Sequence, residues 1–205
     1  MVNVDTAGTP DLARRLWLTA KPLIFISGLL PLAWLGWLAW LGELGANPVE
    51  TLSHRTGDWS LRFLLLTLMV TPVRRWTGWN RLQQFRRMLG LFAFFYVSLH
   101  FAVYLIFDQF FDGAAIVADV IKRPYLTVGF AAFLLLIPLA ITSTHAMIKR
   151  LGRNWQRLHR LVYLIAVLGV LHYAWLVKAD LTEPLLYGGI LTALLGYRLW
   201  WRLCR

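Results

Sequence analysis

Cysteine is all but missing. Cys204 is the only one in 205 residues, which rules out an internal disulfide and any CxxC metal or redox pair. Acidic residues are scarce too, with 10 Asp and Glu against 21 Lys and Arg. No GxGxxG, P-loop, HExxH or nucleophile-elbow pattern occurs, so the chain offers no support for those nucleotide-binding or hydrolytic chemistries. Low-complexity tracts and a separable soluble domain are also absent. No cleaved signal peptide is evident: the first apolar run begins after about twenty mostly polar residues, is long enough to span a bilayer, and reads as a signal anchor.

What the chain has in quantity is apolar surface. Hydrophobic residues make up 59% of it, mean hydropathy is +0.58, and there are 11 Trp. Tryptophan concentrates at membrane–water interfaces. The net charge of +11 does not form a stripe suited to nucleic acid. The cations fall in short bursts between long apolar runs, the pattern of cytoplasmic loops between membrane spans.

In chain order, residues 1–21 read as a disordered or interfacial start containing Arg14, Arg15 and Lys21. Spans follow at about 23–41 (kinked at Pro31), 59–73, 88–107, 124–142, 158–177 and 185–201. The stretch GELGANPVETLSHRTGD between the first two reads as a polar loop, with turn chemistry at Asn47-Pro48 and Gly57-Asp58. DQFFDGAAIVADVIKR reads as an interfacial segment, and KADLTE as a tight turn. With the N-terminus inside, 16 of the 21 Lys and Arg and only two of the ten acids fall on the cytoplasmic side. The positive-inside rule then fixes the orientation. The sequence thus predicts an all-α integral membrane protein: a six-helix transmembrane bundle, a single domain over 1–205, with both termini cytoplasmic.

Histidines carry the chemistry. His100 lies thirteen residues beyond Arg87, and His172 twelve beyond Arg160, on two helices that both run outward. At ~1.5 Å per residue both sit roughly 18–20 Å from the inner surface, so they are level. Two neutral histidines facing each other from neighbouring spans can hold a haem iron from both sides. The plainer alternative is a pair of buried histidines bonded to carbonyls. His159 lies about 20 Å below His172 and is rotated about 140° from it on an ideal helix. It serves either as an interfacial cation or as a second ligand on a distorted helix. His145 ends the fourth span at a similar inner depth, as an exposed helix end or as a partner for His159. His54 lies in the outer loop and reads as solvated. Lys and Asp are nearly missing from the span centres, which argues against a proton-coupled transporter.

At these residues the chain resembles the ferric-reductase and NADPH-oxidase type of transmembrane domain. Within that group it is identified as a member of the MsrQ (YedZ) family. The likeness runs over nearly the whole chain, from GANPVE and TGDWSLRFLLLTLMVTPVRR through RRMLGL and RPYLTVG to ITSTHAM, LGRNWQRLHRLVYL and HYAW. The resemblance implies a bacterial inner-membrane cytochrome b, with haem b and with FMN also implicated. It takes electrons from the quinone pool or a cytosolic flavin reductase and passes them to a periplasmic molybdopterin methionine sulfoxide reductase catalytic subunit, for repair of oxidised proteins. By position, His100, His159 and His172 match the family's three histidines.

Two departures from the oxidase pattern stand out. The chain has no flavin and nicotinamide domain after the sixth span. Fourteen residues before His100, where the larger group has a further histidine, stands Arg86. An inner haem would then be held by His159 with His145, or with Arg86 or solvent, or would be absent. The alternatives to this function are a ferric or cupric reductase-like cytochrome, and a haem-free membrane scaffold or transporter.

Overall fold

Long apolar runs with few breakers leave the backbone one economical way to satisfy its own hydrogen bonds in lipid, which is the helix. The computed structural model describes residues 9–177 and 180–204, with side chains from residue 19 onward, and its regular structure there is entirely helical. Residues 1–8, the side chains of Arg14 and Arg15, and Lys178 and Arg205, all used in the topology reading, lie outside the described residues.

The chain divides into two compact units, one ending at Leu44 and the other beginning at Gly45. The first is α1, Thr9–Leu41, which contains Pro22 and Pro31. Of the disordered or interfacial start expected over residues 1–21, the described part, from Thr9 onward, is helix. Leu23, Ile26, Leu30, Trp34 and Trp37 are all exposed, a surface suited to lipid.

The second unit begins with α2, Pro48–Thr77. Asn47 caps it by accepting from the Glu50 amide, Pro48 takes the first turn, where its missing N–H costs nothing, and Gly78 ends it in the left-handed region at φ 72°. This corrects the expected loop. Only the short stretch after α1 remains irregular, and Gly57 and Asp58 lie inside the helix rather than in a turn. α3, Gln83–Val103, runs into a π-turn over Tyr104–Asp108. Phe110 and Phe111 follow at φ 47° and 61°, and Asp112 then caps α4, Gly113–Lys122. α5 is Pro124–Ile141, and α6, His145–Leu151, follows a Thr144 cap.

The expected fifth span is two helices, α7, Arg153–His159, and α8, Leu161–Leu176. Arg160 N donates to Arg157 O, and Tyr163 N donates to Arg160 O. The chain thus tightens to three-residue turns just after His159. α9, Thr182–Leu203, closes the fold. At its start Asp180 accepts from the Thr182 amide at 2.9 Å. The Thr182 side-chain and backbone hydrogen bonds hold the Asp180 carboxyl below its usual range.

Among the described residues four helical stretches are long and apolar enough to cross a bilayer: Thr19–Leu41, Asn80–Asp108, Pro124–Ile141 and Arg153–Leu176. α2 and α9 have the length, with 30 and 22 residues, about 45 and 33 Å. They carry more charge: Glu50, Arg55, Asp58, Arg62, Arg74 and Arg75 on α2, and Glu183, Arg198 and Arg202 on α9.

Within the second unit α2 packs chiefly on α3, α5 on α8, and α9 against α8 and α2. Phe63 of α2 stacks on Phe92 and Tyr96 of α3 at 5.2 and 5.4 Å. Ser60 donates to the Ala93 carbonyl at 3.1 Å. Arg198 of α9 is buried, with no carboxylate paired to it among the described residues. It donates to the Leu194 carbonyl of its own helix and to the Leu68 carbonyl of α2, and lies 5.6 Å from the Tyr163 ring centre. Such a fork satisfies a guanidinium that lipid cannot solvate.

Candidate haem-ligating histidine pair

His100 sits one turn before the end of α3, and His172 one turn before the end of α8. The equal depths read from the sequence place them together: the ring centres are 6.2 Å apart, with the planes at 76°. Neither ring borrows its orientation from its own helix. His100 Nδ1 donates to the Ser53 carbonyl on α2 at 2.9 Å, and His172 Nδ1 donates to the Tyr125 carbonyl on α5 at 2.7 Å. A carbonyl only accepts, so each Nδ1 carries the proton and each Nε2 keeps a lone pair.

Close approach of ring to backbone is possible because glycine stands one turn beyond each carbonyl. A Cβ built on Gly57 would lie 3.2 Å from His100 Nδ1, and one on Gly129 would lie 2.7 Å from His172 Nδ1. The sequence assigns none of these four to the site: it offers Gly57 only as a turn residue, and the carbonyls of Ser53 and Tyr125 have no residue signature. A spacing signal exists nonetheless. Ser53 and Tyr125 each precede their histidine by 47 residues, so the second set repeats the first 72 positions later.

Both histidines border a cavity of about 590 Å³. Leu61, Leu64, Phe133, Leu136 and Ile165 form its apolar wall, while His54, Asp58, Asp119 and Arg123 border a polar part. Among the described residues no group of three or more His, Cys, Asp or Glu is placed to hold a metal ion. The donor set is therefore two imidazoles facing one space, which suits a metal that brings its own in-plane ligands. The geometry fits such a group: metal–nitrogen bonds of ~2.0 Å on either side place two imidazole centres roughly 6 Å apart.

His159, the last residue of α7, is organised differently. Its Nδ1 bonds to the Trp155 carbonyl one turn back at 3.1 Å, and its ring stacks on Trp155 with centres 3.9 Å apart. Trp155 is itself pinned through Nε1 to the Thr142 carbonyl at 2.9 Å. His159 Nε2 is buried and makes no hydrogen bond of good geometry, with the Leu139 backbone of α5 acting on the ring. Arg86 of α3 is an electrostatic neighbour of His159. His145 does not end the fourth span as expected; it opens α6, behind the Thr144 cap, and is exposed. His54 is exposed, as expected, but on α2 rather than in a loop.

Comparison with known proteins agrees with this architecture. The family model described as ferric reductase like transmembrane component matches residues 56–170, which takes in all the paired-histidine site except Ser53 and His172. The chain is 54% identical to the protein-methionine-sulfoxide reductase heme-binding subunit MsrQ of Herminiimonas arsenicoxydans, over 88% of this chain and 84% of that one. It is 56% identical to the MsrQ of Rhodospirillum rubrum, over 86% and 85%. Against the MsrQ of Xanthomonas euvesicatoria pv. vesicatoria it is 54% identical, over 91% and 88%. No solved structure matches. The chain belongs to the MsrQ family of ferric reductase-like transmembrane components.

Proposed function

We propose that this membrane protein is the haem b-carrying electron-transfer subunit of a methionine sulfoxide reductase system, with His100 and His172 as the axial ligands of one haem. The observation that carries the reading is the opposed pair, 6.2 Å between ring centres with both Nδ1 atoms bonded to other helices. The relatives' names, which make them heme-binding subunits of protein-methionine-sulfoxide reductase, support it.

Bound between the two imidazoles, haem would supply one-electron chemistry. The chain's own task is to present two Nε2 lone pairs, to keep water from the apolar wall, and to leave no open position at the metal. We place six spans in the bacterial inner membrane with both ends cytoplasmic, counting α2 and α9 among them. The basic loops would hold the phosphate of an FMN if one is bound, and electrons would enter on the cytoplasmic side from the quinone pool or a cytosolic flavin reductase. They leave to a periplasmic molybdopterin catalytic subunit, which the acidic segment of Asp108, Asp112 and Asp119 would steer through its charge. Were an inner haem bound, His159, with its buried Nε2, would be the residue to hold it, and Arg86, a cation without a lone pair, would contribute charge beside it rather than a bond to the metal.

The test is the visible spectrum of the purified protein, oxidised and dithionite-reduced, with haem counted per chain. A sharp reduced b-type band is expected, and His172→Ala should abolish the bis-histidine signal of the His100 site. An unchanged spectrum in His172→Ala removes that residue from the ligands. A chain that stays colourless after reconstitution returns the protein to the scaffold or transporter class.

A further inference from the structure

We infer that Ser53 with Gly57, and Tyr125 with Gly129, form a duplicated seat that sets the ring orientation and the donor strength of the two opposed histidines. The inference rests on the haem assignment above and goes beyond it, since it names the residues that position the ligands.

The argument begins with a carbonyl inside a helix. The oxygen of residue i points toward residue i+4, whose side chain normally screens it. A planar imidazole from another helix approaches that oxygen most closely where i+4 lacks a Cβ. Both sites have this arrangement: the acceptor at 53 with glycine at 57, and the acceptor at 125 with glycine at 129. In both, the Cβ that glycine lacks would fall on the ring itself. On Gly129 it would come within 2.7, 2.8 and 3.0 Å of Nδ1, Cε1 and Cγ of His172; on Gly57, within 3.2, 3.3 and 3.8 Å of the same atoms of His100. One such contact would be ordinary helix packing. Two, at one sequence offset and on the two residues that face each other, are a repeated device.

The halves are not equal. Thr56 Oγ1 lies 3.0 Å from the Ser53 carbonyl but donates more closely to the Leu52 carbonyl at 2.7 Å, and the ring-to-carbonyl distances are 2.9 Å for His100 and 2.7 Å for His172. A carbonyl drawing on the Nδ1 proton makes Nε2 more electron-rich and so favours the higher oxidation state of a metal bound there. The closer approach at Gly129 makes the His172 seat the more sensitive of the two to an added Cβ. The same seats set the ring planes 76° apart. Crossed axial planes give a low-spin ferric centre a more anisotropic EPR signal than parallel planes do.

The experiment uses the full-length haem-loaded protein in lipid nanodiscs, read by low-temperature EPR and by redox titration. Gly129→Ala should move the largest g value and raise the midpoint potential, because the displaced ring loses its carbonyl. Each tenfold loss of ferric-over-ferrous preference raises the potential by about 59 mV for one electron. Gly57→Ala should shift both readouts in the same direction but less. Gly90→Ala, whose Cβ would meet only Thr67 at 3.8 Å or more, is the control and should leave both unchanged.

If Gly129→Ala retains no haem, Gly57→Ala decides the matter, since its ring contact is tight enough to shift the histidine without excluding it. Glycine variants with wild-type g values and potential, even if less stable, overturn the seat. A wild-type spectrum in His172→Ala overturns the ligand assignment instead, so the two failures are distinguishable.

Discussion

His100 and His172 each direct the Nδ1 proton to a carbonyl of another helix, whereas His159 turns its own to the Trp155 carbonyl one turn back. The first arrangement is tertiary. The rings take their places only when α2 packs on α3 and α5 on α8, and glycine clears the approach on both sides. The second is more local: the stacked Trp155 and the backbone of α7 set the ring, while the Trp155 indole bond to Thr142, the Leu139 backbone of α5 and Arg86 of α3 reach it from other elements. A site assembled from four helices is pre-organised in both ligands. A site resting on one histidine is pre-organised in one and leaves its other side to a different kind of group. The contrast predicts two centres of unequal rigidity, if both are filled.

The largest effect should come from breaking the pair. His172→Ala or His100→Ala removes one of two opposed donors and should cost the whole signal of that centre, leaving any His159-bound haem in place. His159→Ala comes next. It should remove only the second fraction of haem, lowering the haem count per chain while the EPR signal of the paired site keeps its g values. Loss of both signals in His159→Ala would mean that the two regions are not independent, and would break the comparison.

A smaller effect, on stability rather than colour, is expected at Arg198, which ties α9 to α2. Arg198→Lys keeps the charge but cannot fork to the two carbonyls of Leu194 and Leu68, so a buried cation loses a charge-assisted hydrogen bond worth about 2 kcal/mol. Arg198→Met removes the charge together with its need for partners, and should be the milder change. Thermal unfolding in nanodiscs measures both. A lysine variant as stable as the wild type would show that the fork contributes little.

The level placement of His100 and His172 was legible because helical rise is uniform and Arg87 and Arg160 stand at nearly equal distances before them. That α2 is one helix from Pro48 to Thr77 was not. Gly57-Asp58 has the residue types of a turn, and Glu50, Arg55, Asp58 and Arg62 dilute the apolar signal. The Asn47 cap and packing against α3 override that local preference. The break at Arg160 left no mark either, since no glycine or proline stands there. It bears directly on His159: the 140° rotation from His172 assumed an ideal helix, and the three-residue turns at Arg160 interrupt that helix between the two histidines. Ser53 and Tyr125 act through main-chain oxygen, so only their identical spacing from the histidines could have exposed them.

His145 gives the smallest expected effect and the sharpest check on the second region. The sequence made it a rival partner for His159, at the inner end of the fourth span. The structure instead places it at the start of α6, exposed, with the helix capped by Thr144 through the Met147 amide at 3.2 Å. A solvent-facing histidine at a helix start has neither a second helix to orient its ring nor an apolar wall to keep water from its nitrogens. His145→Ala should therefore leave haem content, both EPR signals and thermal stability at wild-type values. A variant that loses the same haem fraction as His159→Ala would show that the second centre is also a histidine pair. The difference between the two regions would then reduce to how tightly their rings are seated.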